Sequence, residues 1–330
     1  MSESRDTKVA VVTGCAGFIG SNLTDRLLET GYRVIGVDNF TTGRREFLRT
    51  ALLNDNFDLH ELDLYETVNL SKLFDGSEIV FHLAANADVR FGADRPRRDL
   101  EQNTIVTHSV LEAMRVAGVK KIVFSSTGSI YGESQISPTP EDAPFPIQTS
   151  LYGASKLACE GLIQAYCETF DMQSWIFRFV SILGPRYSHG HVFDFYKQLR
   201  DHQNFLTVLG NGHQRKSYLH VADCIDAIQI ALKSSNQKVN IFNLGVNDTC
   251  EVRDSVKWIC EHLEIEPRVD FGIESRGWVG DNPLIHLATS QINSLGWEPA
   301  YSIKQGIEST IDYLRENEWL LDSDLDVPPK

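Results

Sequence analysis

The chain has 330 residues, 42% hydrophobic and 23% charged, which supplies a sizeable core and excludes a disordered or fibrous protein. Its 45 acidic residues against 31 basic ones leave a net charge of −14, so the surface repels polyanions and nucleic acid is a poor candidate partner. No run reaches the ~18–20 apolar residues that span a bilayer, and the N-terminus lacks an export signal, so a soluble cytoplasmic protein without membrane contact is expected.

The first apolar run, Lys8–Thr13, empties into Thr13-Gly14-Cys15-Ala16-Gly17-Phe18-Ile19-Gly20, a glycine-rich turn that opens a helix predicted over Ile19–Glu29. Backbone can approach a pyrophosphate there, and the helix N-terminus can hold its charge. A second strand over Tyr32–Val37 leads to Asp38, 18 residues past Gly20, where a carboxylate can bond the hydroxyls of an adenosine ribose. The same carboxylate would repel a ribose 2′-phosphate, so the expected cofactor is NAD and not NADP. Arg44 and Arg45 read as solvated loop charges.

Further strands are predicted over Ile79–Leu83 and Lys121–Ser125, with a helix over Leu100–Ala117 between them. Continuous apolar strands separated by helices are the pattern of a parallel sheet covered on both faces, so the fold class is α/β, a Rossmann-type doubly wound sheet. The segment Ser134–Ser150 holds four of the eleven prolines and reads as a loop, followed by a helix over Tyr152–Phe170. Beyond Phe179 the alternation decays, although Val239–Leu244 looks like one more strand of the sheet. Since single cores stop growing near ~250–300 residues, we expect a dinucleotide-binding domain over 1–178 and a smaller, interleaved substrate domain over 179–330. The acidic tail Leu321–Lys330 reads as a solvated terminus. Six cysteines occur without a CxxC pair or a Cys/His cluster, so neither disulfides nor a metal site is expected.

Tyr152 and Lys156 stand four apart on one helix face, and Ser125-Ser126-Thr127 ends a strand at the carboxyl edge of the sheet. A phenol titrates near ~10, but a neighbouring ammonium and a cationic nicotinamide both favour phenolate. Tyr152 is therefore the expected base toward a substrate hydroxyl, Lys156 its activator, and Thr127 a hydrogen-bonding partner of the same oxygen.

Together, the Thr13–Gly20 turn, Asp38-Asn39, Asp63-Leu64, His82-Leu83-Ala84-Ala85, Ser125-Ser126-Thr127 with Tyr131-Gly132, Tyr152 with Lys156, and Leu295-Gly296-Trp297-x-Pro299 resemble the extended short-chain dehydrogenase/reductases, the NAD-dependent epimerases and dehydratases of sugar nucleotides. The resemblance runs from Val9 to about Tyr313 and implies a tightly held NAD, reduced and reoxidised within one cycle. Carried over by position, Gly14, Gly17, Phe18 and Ile19 form the pyrophosphate turn, Asp38 and Asn39 meet the adenosine ribose, and Asp63 and Leu64 the adenine. Leu83, Ala84, Ala85, Asn103 and Ser125 meet the rest of the dinucleotide, and Lys156 also bonds the nicotinamide ribose.

Dehydratases of this family have Asp-Glu directly after the catalytic Thr, and the glucuronate decarboxylases a Glu at the second place. Here Gly128 and Ser129 stand there, which leaves oxidation at C4, rotation of the keto-sugar and return of the hydride. The expected reaction is 4-epimerisation of a nucleotide-diphosphate sugar, UDP-glucose with UDP-galactose first. The alternatives are an epimerase or dehydratase of another sugar nucleotide and a non-catalytic NAD-binding regulator. Expected substrate contacts are Asn86, Thr127, Ser181, His191, Val192, Lys216, Arg276 and Asp281. Lys216 replaces the family's Arg and Ser181 its Asn, which suggests a differently shaped pocket. His189 and His191 fall on a loop that the family folds over the substrate, and Ile285 at its gate for N-acetyl groups. The helices over Leu100–Ala117 and Tyr152–Phe170 resemble the pair through which family members form homodimers.

Overall fold

In the computed structural model the described residues are 7–86, 95–145, 147–277 and 282–322. The first half builds β1 (Val9–Thr13), β2 (Arg33–Asp38), β3 (Phe57–Glu61), β4 (Ile79–His82), β5 (Lys121–Thr127) and β6 (Gln173–Phe179). Short strands follow: β7 (Ser181–Leu183), β8 (Phe205–Val208), β9 (Arg215–Lys216) and β10 (Tyr218–His220), before β11 (Val239–Leu244). The last are β12 (Cys250–Glu251), β13 (Arg268–Phe271) and β14 (Leu284–Ile285).

Seven strands form one parallel sheet in the order β11-β6-β5-β4-β1-β2-β3. The order reverses between β1 and β4, which opens a crevice at the carboxyl ends of those strands. Alternate side chains serve opposite faces: Ala10, Val12, Val123 and Phe177 join one apolar cluster, and Val11, Ile122, Phe124 and Ile176 the other. The first cluster continues through Ile225, Ile259 and Ile307 to Leu321, so the C-terminal elements pack on the same core as one face of the sheet.

Two sheet strands escape the reading by apolar runs. Strand β3, Phe-Asp-Leu-His-Glu, lies at the edge, pairs only with β2 and is half exposed, so it carries no continuous apolar run. Strand β6 is fully interior between β5 and β11. With β3 counted, the strand ending in Ser125-Ser126-Thr127 is the fifth in the chain. The helix expected over Leu100–Ala117 is a π-helical stretch over Leu100–Ile105 that becomes regular over Val106–Ala117. The loop before Leu151 contains no helix among its described residues, and Ser150 caps the next one through its hydroxyl, which accepts from Gly153 N at 3.0 Å.

Candidate active site

The glycine turn is held by sterics. Gly14 has φ +71°, and a Cβ there would lie 2.7 Å from Ala84 N; at Gly20 it would lie 1.9 Å from Gly14 O. Only glycine lets β1, the turn and the Phe18–Glu29 helix come this close, which exposes the helix start to the crevice. At the end of β2, Asp38 is buried, and its carboxylate accepts from Ala16 N and Phe40 N, both at 2.9 Å. Burial pushes its carboxyl above the usual range, while those two backbone donors work against the rise. Asn39 Nδ2 donates to Asp63 Oδ2 at 2.8 Å, which joins the two residues expected around the adenosine. Arg45 is ion-paired with Glu61 and lies over the Phe40 ring, on the exposed rim.

A cavity of about 520 Å³ opens along the carboxyl edge of the sheet. Its wall contains Gly14, Gly17, Phe18 and Ile19 from the turn, Asp38, Asn39, Asp63 and Leu64 at one end, and Leu83, Ala84, Ala85 and Asn86 after β4. Ser125, Thr127, Tyr152, Lys156 and Ser181 complete it from the other side. Residues separated by more than 160 positions thus meet around one space. The wall also holds Thr41, Thr42 and Gly43, Arg98 and Gln102, Ser129, and Tyr187, Ser188 and His189. The first three were within reach of sequence reasoning, since they follow Asp38 on the loop that leaves the same sheet edge. Arg98 and Gln102 carry no such signal.

Tyr152 presents part of its surface to the cavity, whose wall it shares with Thr127. Desolvation pushes its phenol well above the ordinary value, the charge of Asp99 adds to this, and the neighbouring Thr127 hydroxyl opposes it. Lys156 is almost fully buried; its ammonium donates to Ser125 O at 2.8 Å and stands over the Phe124 ring, 4.7 Å from the centroid. Burial lowers its pKa to about 8 against the raising effects of Cys159, Glu160 and Asp99. Burial therefore favours the neutral phenol at Tyr152 in the chain by itself. Ser129, where the family's dehydratases have an acid, accepts a hydrogen bond from Thr127 Oγ1 at 3.2 Å.

Several expected contacts lie elsewhere. Asn103 sits behind the wall: its Oδ1 accepts from Asn86 N at 2.8 Å, and its Nδ2 donates to Ser155 Oγ at 2.8 Å. It supports Asn86, whose Nδ2 donates to Asp99 Oδ1 at 2.8 Å. His191 starts the His191–Asp201 helix against Tyr218 and Phe195, its Nε2 buried without a partner among the described residues, and Val192 is fully buried. Lys216 lies on β9 in register with Ile285, and Ile285 does reach the cavity wall. Arg276 pairs with Glu133 at 2.5 Å. Asp281 lies outside the described residues.

Turn, carboxylate and cavity fit a dinucleotide: glycines where a Cβ would fill the cradle, and an acid at the end of the second strand. The fold and site define a dinucleotide-binding α/β protein. Residues 10–245 match the NAD dependent epimerase/dehydratase family, and the chain belongs to it. It is 31% identical over 310 residues to a UDP-glucose 4-epimerase of Mycolicibacterium smegmatis, across 92% of this chain and 98% of the relative. A crystal structure of UDP-galactose 4-epimerase superposes with a TM-score of 0.84 at 35% identity, covering 94% of this chain and 100% of that one. The UDP-glucuronic acid 4-epimerase from Bacillus cereus, in complex with UDP-glucuronic acid and NAD, superposes with a TM-score of 0.86 at 28% identity, covering 94% and 99%. The chain is thus an NAD-dependent sugar-nucleotide epimerase. None of its helices, among the described residues, is long and apolar enough to cross a membrane.

Proposed function

We propose that the substrate pair is UDP-glucose and UDP-galactose, or a close UDP-hexose derivative, interconverted at C4 through a transient 4-keto sugar. The observation that carries this reading is that Thr127, Tyr152 and Lys156 share the wall of the same cavity that the glycine turn and Asp38 line. Bound NAD supplies a hydride acceptor and a positive ring in this cavity. Tyr152 takes the proton of the 4-hydroxyl and gives it back after the sugar has turned. Thr127 holds the same oxygen through its hydroxyl. Lys156, anchored to Ser125 O, brings positive charge to the same cavity wall. Ser129 is too weak an acid to protonate a leaving hydroxyl at C6, which favours epimerisation over loss of water.

Asn86 and Ser181, on the wall, are proposed to meet the sugar. His191, Val192, Lys216, Arg276 and Asp281 are proposed to serve the nucleotide diphosphate. Ser181 and Lys216, at places where the family has Asn and Arg, support a second reading, a hexose with a different substituent. Exposed Leu100, Ile105, Val116 and Leu151 on the two helices beside the sheet support a homodimer, proposed to be cytoplasmic. The domain division at 178/179 stays part of this proposal.

Purified protein incubated with UDP-galactose is expected to form UDP-glucose, followed by NMR; no conversion would overturn the leading reading. Conversion of UDP-glucuronate or UDP-N-acetylglucosamine instead, in the same panel, would establish the second.

A further inference from the structure

Behind the cavity wall lies a group of buried charges that the reaction does not touch. Arg178, on β6, and Glu160, on the Leu151–Phe170 helix, are both almost fully buried and form a two-pronged ion pair: Nη2 to Oε2 at 2.8 Å and Nε to Oε1 at 3.1 Å. Ser126 Oγ donates to Glu160 Oε1 at 2.5 Å, and Arg178 Nη1 donates to Tyr131 Oη at 2.6 Å and to Glu141 O at 2.8 Å. Tyr131 Oη in turn donates to Asn243 Oδ1 at 2.9 Å, and Asn243 Nδ2 to Thr139 O at 2.9 Å.

These partners flank the proposed catalytic groups in the chain. Ser126 directly precedes Thr127, and Tyr131 closes the turn that follows it. Glu160 lies one helical turn beyond Lys156, and Glu141 and Thr139 belong to the loop that delivers Tyr152. A buried ion pair adds little stability over a well-packed apolar pair, because desolvating both charges offsets their attraction. What an apolar pair lacks is directional bonds to three further segments at once, through Ser126, Tyr131 and Glu141.

We infer that the Arg178–Glu160 pair is a positioning element that sets the strand end bearing Thr127 and the helix bearing Tyr152 and Lys156 at a fixed separation. The inference rests on the reading of those three residues as the catalytic set. Neither Arg178 nor Glu160 lines the cavity, so both act through Ser126 and Tyr131.

The test separates position from stability by comparing Arg178→Met, the double variant Glu160→Leu/Arg178→Met, and Ser126→Ala. Melting temperature, NAD released on denaturation, and kcat and KM are read with whichever sugar nucleotide the native protein converts. Arg178→Met should lose melting temperature by stranding Glu160, and the double variant should regain most of it. In the double variant kcat should stay roughly tenfold to hundredfold low, because misplacement near one ångström has that cost, while KM and bound NAD stay near native. Ser126→Ala should keep its melting temperature and lose kcat severalfold. Recovery of kcat together with melting temperature in the double variant, or native kcat in Ser126→Ala, overturns the inference. Should the double variant not fold, Ser126→Ala decides alone. Native protein that converts no sugar nucleotide defeats the proposed reaction, and this inference with it; native turnover with unaffected variants defeats the positioning element only.

Discussion

The ammonium of Lys156 donates to the carbonyl oxygen of Ser125 at 2.8 Å, which pins a helix residue to the end of a strand 31 positions earlier. That bond places the charge at the carboxyl edge of the sheet. Burial at this place removes the ammonium from water, which is why its pKa falls to about 8.

A pH dependence follows from that value. Below about 8 Lys156 is charged and supports phenolate at Tyr152; above it the amine is neutral and the support is lost. Turnover by the holoenzyme is expected to fall as pH rises through about 8, measured as kcat/KM from pH 6 to 10 with the sugar nucleotide it converts. Lys156→Arg, which stays charged throughout this range, should lack that limb even if its overall rate is lower.

Tyr152→Phe removes the phenolic oxygen and keeps the ring. Turnover should drop by about 10²–10⁴, the usual worth of general acid–base catalysis, with NAD still recovered from the denatured protein. Unchanged turnover would take Tyr152 out of the reaction.

The glycine turn should respond unequally. A Cβ at Gly20 would lie 1.9 Å from Gly14 O, whereas at Gly17 the nearest contact is 3.3 Å. Gly20→Ala must therefore move backbone, and should lose both melting temperature and bound NAD. Gly17→Ala asks for a shift of a few tenths of an ångström, so it should retain more of both. The ordering is checked by thermal unfolding and by the nucleotide released per chain.

His82 is completely buried between Thr13 Oγ1 at 2.8 Å and Thr107 Oγ1 at 3.1 Å, and burial lowers its pKa to about 3. In the unfolded chain the ring takes a proton near ~6.5, while the folded chain takes it only near 3. Between those values the unfolded state binds more protons, so stability rises with pH across this window and falls on acidification. Thermal unfolding from pH 7 to 4 should show this slope, and His82→Gln should flatten it.

Much of the site was legible because its parts are local. The spacing of Gly14, Gly17 and Gly20, an acid at the end of the next strand and a Tyr–Lys pair on one helix face each express a constraint of a few residues. Strand β3 was not legible, since an edge strand with alternating polar residues has no continuous apolar run. Nor was the supporting role of Asn103, which needs the π-helical stretch to turn it toward Asn86 and Ser155.

From the amino-acid order alone came the parallel sheet, the glycine turn, the acid at the end of the second strand, and the residue types proposed for alcohol oxidation, since propensity, period and spacing act over short stretches of chain. Tertiary structure alone decided which of these groups share a cavity, that burial raises the phenol of Tyr152, and that Arg178 and Glu160 meet behind the wall. Desolvation and long-range hydrogen bonding depend on which distant segments pack together, and no short window of residues contains that information.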